Sequence, residues 1–264
     1  MALVFTAITP HPPLLIPNVA KNEQGKLQKT REAMQKLEED LYLSKPDIIL
    51  IISPHGRLLD DAFTMNVSST FVNDFKEFGD LATVTHFKGD VGLAAHIREK
   101  SKMHNQFPLV LLSEEVIDHG VAIPLILLTP HLPQVRVLPI GFSGLNWKTH
   151  IDFGYFLKEE IMKSTKRIAV IASGDLAHTV TPDAPAGFSP QGKVFDEKLQ
   201  ELFSTRNTAG IMSLDQKLVE DAVECGFRSF LILMGILRDI AYEYKSYVYE
   251  APFGIGYLTA NFVI

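Results

Sequence analysis

The chain of 264 residues has one cysteine, little basic charge and no long apolar run. A single cysteine, Cys225, cannot form a disulfide within the chain, which is typical of proteins of the reducing cytosol. The formal net charge of −6 disfavours nucleic acids and anionic membrane surfaces as partners. No apolar run approaches the ~18 residues of a spanning helix, and the first residues lack the basic segment of a signal peptide. We therefore expect a cytoplasmic protein with no nucleic-acid and no membrane partner.

Strand-like apolar runs alternate with amphipathic segments over most of the sequence. The helical pattern of apolar residues predicts helices over residues 21–43, 90–101, 147–163, 189–205 and 227–240. Short apolar runs predict strands over residues 3–8, 48–52, 63–68, 83–87, 110–112, 134–140, 168–172, 245–249 and 255–263. Because no low-complexity linker interrupts the alternation, we predict a single α/β domain over residues 1–264. Its central sheet is expected to be mainly parallel or mixed, with helices on both faces.

Four histidines follow four of these predicted strands, each in a short segment rich in proline, glycine or aspartate. They are His11, His55, His119 and His178. Because the carboxyl ends of strands in an open α/β sheet share one edge, where ligands bind, we expect these side chains to meet in one pocket. Imidazoles that converge in this way commonly bind metals or act as acids and bases.

The first two histidines have similar surroundings. His11 is flanked by prolines on both sides, which restrict the backbone and suit a fixed ligand. The alternative for His11 is a loop histidine beside a proline-rich turn. His55 stands between a Ser-Pro pair and a glycine, again after a strand. Matching positions on neighbouring strands predict a metal pair, although neither histidine belongs to a short-range motif such as HExxH.

The other two histidines each have an aspartate nearby. Asp118 precedes His119 and either orients its ring or caps the following turn, the capping role being the more common one. Asp175 and His178 are three residues apart, so on a tight turn or a first helical turn both side chains face the same way.

The sequence leaves the identity of an anionic third donor open. Glu224 and Cys225 lie just before the predicted helix 227–240, where the helix dipole favours a carboxylate or a thiolate. Glu250, at the end of an apolar strand, is a competing acid. For Cys225 the alternative is a small buried hydrophobic residue, as most free cysteines are.

Taken together, these segments resemble the class III extradiol dioxygenase superfamily, the LigB-like fold that also includes plant DOPA dioxygenase and the Memo proteins. The resemblance is carried by Pro10-His11-Pro12, Ser53-Pro54-His55-Gly56, Asp118-His119-Gly120 with Ile123-Pro124-Leu125, Ser173-Gly174-Asp175-Leu176-Ala177-His178, Glu224-Cys225-Gly226-Phe227-Arg228 and Pro252-Phe253-Gly254-Ile255-Gly256-Tyr257. It covers nearly the whole chain in the right order and looks most like the stand-alone microbial branch close to Memo.

The resemblance implies a role for each histidine. His11 and His55 match the two metal-ligand histidines of the family. His119 matches a histidine outside the metal ligands that contacts substrate or oxygen, and His178 matches the acid–base histidine. With Asp175, from the same segment as His178, these two histidines are the predicted catalytic residues.

For the third ligand, the resemblance implies a residue at the start of the late buried helix. In the dioxygenases this ligand is a glutamate. Counting back from Gly235 places Cys225 at the ligand position, as in Memo, whereas a one-residue gap places Glu224 there.

The function implied is a non-haem Fe(II)-dependent extradiol-type dioxygenase acting on a small catechol-like aromatic. Two histidines and one carboxylate leave open positions on Fe(II) for a catecholate and dioxygen, whereas a thiolate shifts the preference towards Zn, Cu(I) or thiolate-tolerant iron. Fe(II) is therefore the expected metal, with Zn as the alternative. The rival functions are a Memo-like metal-binding or partner-binding protein that opens no ring, and a Zn hydrolase using His178 with Asp175. A homodimer is expected on general frequency alone.

Overall fold

The fold is built on a mixed sheet in which four parallel strands form the centre. The computed structural model describes residues 2–20, 25–104 and 107–264, which contain ten strands in one sheet. The strands are β1 (Leu3–Thr9), β2 (Ile48–Ser53), β3 (Phe63–Asn66), β4 (Thr70–Asp74), β5 (Val84–Gly89), β6 (Leu109–Leu112), β7 (Arg136–Gly141), β8 (Ile168–Ser173), β9 (Glu243–Glu250) and β10 (Tyr257–Val263).

The strand order explains why residues distant in sequence come together. The main path runs β4-β5-β7-β2-β8-β1-β10-β9, and β3 pairs with β7 and with β6. Strands β7, β2, β8 and β1 are mutually parallel neighbours, whereas β10 and β9 extend the sheet in the antiparallel sense. The carboxyl ends of β1, β8 and β2 therefore lie side by side at one edge.

Helices cover both faces of this sheet, as predicted. They are α1 (Pro17–Ala20), α2 (Gln28–Ser44), α3 (Val91–His104), α4 (His119–Leu128), α5 (Trp147–Met162), α6 (Pro190–Ser204), α7 (Thr208–Met212), α8 (Gln216–Ala222) and α9 (Phe227–Ile236). Alternate side chains of each central strand point to opposite faces. In β2, Leu50 joins a core with α5, α6 and α9, whereas Ile51 joins a second core with α2 and α4. The α/β prediction with a mixed sheet is confirmed.

Several predicted elements differ from the observed ones. The helix predicted over 227–240 ends at Ile236, and Asp239 adopts a left-handed backbone that a continuing helix excludes. In the helix predicted over 21–43, residues 21–24 lie outside the described part, and α2 begins at Gln28. Strand β4 and helices α1, α4, α7 and α8 were not predicted. No helix in the described ranges is long and apolar enough to cross a membrane.

Candidate metal centre

The central residues of the candidate site follow the carboxyl ends of three adjacent strands. His11 stands two residues after β1, His55 two residues after β2, and Asp175 two residues after β8. Because β8 lies between β1 and β2 and all three strands are parallel, these residues leave the sheet at the same edge. Parallel pairing of these strands therefore places Asp175 next to His11, although the two residues are 164 positions apart in the sequence.

The rings of His11 and His55 meet at their Nε2 atoms. The two atoms are 2.9 Å apart, and the rings are nearly perpendicular with centroids 4.7 Å apart. Two nitrogens that each bind an ion at about 2.0–2.1 Å cannot lie more than about 4.2 Å apart. The pair therefore fits a shared ion.

Cys225 adds a sulfur donor to this pair. Its Sγ atom lies 3.6 Å from the His11 Nε2 atom, and the donor atoms of His11, His55 and Cys225 all lie within 4.8 Å of one another. The backbone N–H of Asp175 donates to this sulfur at 3.3 Å. Burial and the nearby Asp175 carboxylate raise the pKa of the Cys225 thiol, so a thiolate at this position requires a cation beside it. The donor set fits a soft or borderline metal ion.

The two competing acids are engaged elsewhere. The carboxylate of Glu224 accepts a hydrogen bond from the Phe227 N–H in the first turn of α9. Burial raises the pKa of Glu224 to about 7. Glu250 accepts hydrogen bonds from the backbone and hydroxyl of Thr30 in the first turn of α2, at 3.0 and 2.6 Å. The structure therefore brings Cys225, and neither glutamate, to the two histidines.

Asp175 is a buried carboxylate behind the histidine pair. One oxygen accepts a hydrogen bond from the backbone N–H of His11 at 3.1 Å, and the other lies 3.8 Å from the His11 Nε2 atom. Burial raises the pKa of Asp175 to about 7. The donor atoms of Asp175, His178 and Cys225 form a second group within 4.8 Å. Asp175 thus fixes the His11 backbone and presents one oxygen to the site.

His119 lies on the outer side of the pair. Its ring stacks on His55 with centroids 4.4 Å apart, and it also contacts Phe78 and, at 4.0 Å, the carboxylate of Glu77. Burial lowers the pKa of His119. Asp118 caps α4 by accepting from the Val121 N–H at 3.1 Å and also accepts from the Ser53 hydroxyl, so its capping role is confirmed.

His178 is fixed on the opposite side of the site. Its Nδ1 atom lies 2.6 Å from the carbonyl oxygen of Val223, which can only accept, so Nδ1 carries the hydrogen when the ring is neutral. The Nε2 atom then has a free lone pair. Burial and the charge of His55 lower the pKa of His178, which favours this neutral form near pH 7.

Sequence reasoning assigned no role to Ser173, Glu77 or Phe78. Ser173, the last residue of β8, is buried and contacts the His11 Nδ1 atom at 2.8 Å. Ser173 could have been identified from the sequence, because it directly follows the apolar run 168–172 and begins the motif that contains Asp175 and His178. Glu77 and Phe78 come from a 3₁₀ turn after β4, an element absent from the predicted set. Their approach to His119 depends on how the β4–β5 hairpin packs.

Comparisons with known proteins agree with this architecture. The chain is 27% identical over 266 residues to protein CA_C1420 of Clostridium acetobutylicum, with 97% of this chain aligned, and it spans 57% of that relative's length. It is also 25% identical over 287 residues to the 2-aminophenol 1,6-dioxygenase alpha subunit of a Pseudomonas species, and the alignment covers 100% of both chains. The crystal structure of protein JW3007 from Escherichia coli K12 shares the fold at 17% identity, with a TM-score of 0.67 and coverage of 98% of this chain and 99% of that one.

A family comparison covers nearly all of the chain. Residues 5–260 match the family described as the catalytic LigB subunit of aromatic ring-opening dioxygenase. That range contains the histidines, Asp175 and Cys225 of the candidate site. The resemblance identified from the sequence motifs is confirmed, and the chain belongs to the LigB family of aromatic ring-opening dioxygenases.

Proposed function

We propose that the protein is a non-haem Fe(II)-dependent extradiol-type dioxygenase that opens the ring of a small catechol-like aromatic. The observation that carries this proposal is the convergence of His11, His55 and Cys225, within 4.8 Å, at the sheet edge of a LigB-family chain. Of the two flanking histidines, His178 would supply the acid–base group that such a reaction needs, and His119 would contact the substrate or dioxygen.

Three donors are proposed to hold the metal: His11, His55 and Cys225. The sequence left Glu224 and Cys225 as alternatives, and the contacts of the two side chains favour the sulfur. A bound Fe(II) ion would supply open positions at which a catecholate and dioxygen combine. Zn is the alternative ion, because a Cys–His donor set also suits it.

His178 is proposed to be the acid–base catalyst. Its Nδ1–H is committed to the Val223 carbonyl, so Nε2 is the atom that can take a phenolic proton and later return one. Its lowered pKa keeps the ring neutral and able to accept a proton near pH 7. His119, stacked on His55 and half-buried, is proposed to contact the substrate or dioxygen from the other side.

The charges around the site favour a substrate without a ring carboxylate. Glu77 lies 4.0 Å from the His119 ring, and Asp175 is buried beside His11. Arg57, which lies beside Gly56 and Asp118, is paired with Glu114 at 3.5 Å. The Pseudomonas relative is named for a ring that carries adjacent hydroxyl and amino groups, which supports a substrate with two adjacent donor groups.

Oxygen uptake tests this proposal. The protein is prepared without oxygen, loaded with Fe(II), and mixed with catechol, a carboxylated catechol and 2-aminophenol in separate reactions. We expect uptake with at least one uncharged ring, together with the visible absorbance of a ring-opened product. Absence of uptake with every ring in Fe(II)-loaded protein would contradict the enzyme assignment.

One observation favours the alternative, a Memo-like metal-binding protein without ring cleavage. It is the position of Cys225, a thiol in place of the carboxylate of the dioxygenases, 3.6 Å from His11. Stable binding of Zn or Cu(I) without oxygen uptake would support this alternative. The hydrolase option is less favoured, because His178 bonds to Val223 and Asp175 bonds to His11, so the two do not form an Asp–His pair.

A further inference from the structure

We propose that Pro124 is a positioning residue for the metal ligand His11, and that it acts through the Gly120 carbonyl and the Ser173 hydroxyl. The inference rests on the proposed metal site. It concerns which nitrogen of His11 carries the hydrogen, and therefore whether Nε2 can bind an ion.

The hydrogen bonds of Ser173 fix the tautomer of His11. The Ser173 Oγ atom lies 2.6 Å from the Gly120 carbonyl oxygen and 2.8 Å from the His11 Nδ1 atom. A hydroxyl has one hydrogen, and a carbonyl oxygen can only accept. The Ser173 hydroxyl therefore donates to Gly120, and its oxygen accepts the Nδ1–H of His11. The lone pair of His11 is left on Nε2, the atom that faces His55 at 2.9 Å.

The carbonyl of Gly120 is free for Ser173 because residue 124 is a proline. In an α-helix the N–H of each residue bonds to the carbonyl four residues earlier. Gly120 and Pro124 are both within α4, so the N–H of residue 124 would bond to the Gly120 carbonyl. Proline has no N–H to give. A residue with an N–H at 124 would add a second donor to the Gly120 oxygen and weaken its bond from Ser173, although a carbonyl can accept two bonds. The Ser173 hydrogen would then turn more readily to Nδ1, which leaves the hydrogen of His11 on Nε2, the tautomer that blocks metal binding.

Close packing holds the three groups in this arrangement. Ser173 is fully buried, His11 is 2% exposed, and Pro124 and Gly120 are buried. Water therefore has little access to replace either hydrogen bond. A Cβ atom at position 120 would lie 2.5 Å from the Ser53 hydroxyl and 3.3 Å from the His55 ring, so a glycine is needed for the helix end to come this close.

Two readouts test the inference: the affinity for Zn(II), measured by competition with a chelator, and the tautomer of His11, measured by imidazole ¹⁵N NMR of the metal-free chain. Ser173→Ala removes the acceptor of the His11 Nδ1–H, together with the hydroxyl that donates to the Gly120 carbonyl, and leaves the sequence of α4 unchanged. We expect it to weaken Zn(II) binding by about 10–100-fold, the usual effect of losing the partner of a ligating histidine. The ¹⁵N signals of His11 should shift from those of the Nδ1–H tautomer towards those of a mixture of the Nδ1–H and Nε2–H tautomers.

Pro124→Ala supplies the competing N–H. We expect it to weaken Zn(II) binding by about 10-fold, at the low end of the same range, while raising the thermal midpoint, because an interior proline costs helix stability. A purely structural role would not produce these opposite effects. The double variant should bind no more weakly than Ser173→Ala, since both act through one hydroxyl. Pro190→Ala, at the first position of α6, is the control and should leave Zn(II) binding unchanged.

The inference is overturned if Ser173→Ala keeps both the wild-type affinity for Zn(II) and the Nδ1–H form of His11. It is also overturned if Pro124→Ala changes neither the Zn(II) affinity nor the tautomer of His11. If the wild-type chain binds neither Zn(II) nor Fe(II), the proposed function is wrong, and the two substitutions can have no effect on metal affinity. The tautomer of His11 in the metal-free chain then tests the hydrogen-bond arrangement separately.

Discussion

The Sγ atom of Cys225 lies 3.6 Å from the Nε2 atom of His11. The neighbouring residue, Glu224, instead accepts a hydrogen bond from the Phe227 N–H and closes the first turn of α9. Two adjacent side chains, both of them candidate third ligands by sequence, thus have different surroundings. One reaches the histidine pair, and the other stabilises a helix end.

Substitution of each residue separates these two roles. Cys225→Ala should lower the affinity for Co(II) or Fe(II) by more than about 100-fold, above the 10–100-fold effect of losing a partner outside the metal ligands. It should also abolish the sulfur-to-metal absorption band of the Co(II) protein. Glu224→Gln keeps an oxygen that can accept from Phe227, so metal affinity and the absorption band should persist. The reverse result, with metal lost only in Glu224→Gln, would assign the third position to the carboxylate.

His55→Ala should abolish stoichiometric metal binding and leave the fold intact. The His55 side chain is exposed to solvent and contributes little to either core, so its removal costs little packing. Metal content after dialysis and the far-UV circular dichroism spectrum check the two parts. His131→Ala is the matched control, because that histidine is exposed and paired with Glu38 on α2. Wild-type metal content in His55→Ala would remove His55 from the ligands.

His178→Ala should retain metal and substrate binding but lower turnover by roughly 10²–10⁴-fold, the usual contribution of acid–base catalysis. Because the lowered pKa of His178 lies below 6.5, the wild-type rate should fall as pH decreases through that pKa and the base becomes protonated. The variant should lack this acidic limb. The control His86→Ala, exposed on β5, should keep both rate and profile. Loss of metal in His178→Ala would instead make His178 a ligand.

A buried acid behind the His178 segment gives a pH-dependent prediction for stability. Asp196 on α6 accepts hydrogen bonds from the Ala177 N–H and the Tyr249 hydroxyl, at 2.9 and 2.6 Å. Burial raises its pKa to about 7, whereas an unfolded aspartate has a pKa of about 3.9. Between these values the folded state binds the extra proton, so this residue's contribution to the free energy of unfolding falls as pH rises.

Asp196→Asn cannot ionise and should lose that dependence. The free energy of unfolding of the wild type, minus that of the variant, should fall by about 1–3 kcal/mol between pH 5 and pH 8. Urea unfolding at both pH values measures this difference, and the shared effects of other acids cancel in the subtraction. A difference that stays constant over the range would show that Asp196 is not protonated in the folded protein.

The positions of His11 and His55 could be predicted because strand ends can be recognised in the sequence. Each histidine follows an apolar run closed by proline, and parallel pairing of β1, β8 and β2 places both at one edge. The third donor could not be chosen in this way. Val223 turns the chain through a left-handed conformation between α8 and α9, and that turn decides which of the next two side chains faces His11.

Helix α4 shows why some elements escape sequence reasoning. Gly120 and Pro124 both count against a helix, yet α4 forms because Asp118 caps it and its side chains are buried on nearly every side. Burial in the second core outweighs the missing hydrogen bond at proline. Strand β4 is short and alternates exposed with buried residues, and its partner β5 is largely exposed, so the apolar pattern was too weak to identify it.

The most direct test of the central claim is ring opening under ¹⁸O₂ by the Fe(II)-loaded wild-type protein, followed by mass spectrometry of the product. We expect one dioxygen to be consumed for each ring opened, with both ¹⁸O atoms in a product cleaved beside, and not between, the two hydroxyl-bearing carbons. His178→Ala should give the same product at a rate lower by roughly 10²–10⁴-fold. If catechol, the carboxylated catechol and 2-aminophenol all remain intact after incubation with protein holding stoichiometric Fe(II), the enzyme assignment is wrong. A product without ¹⁸O would contradict the dioxygenase assignment.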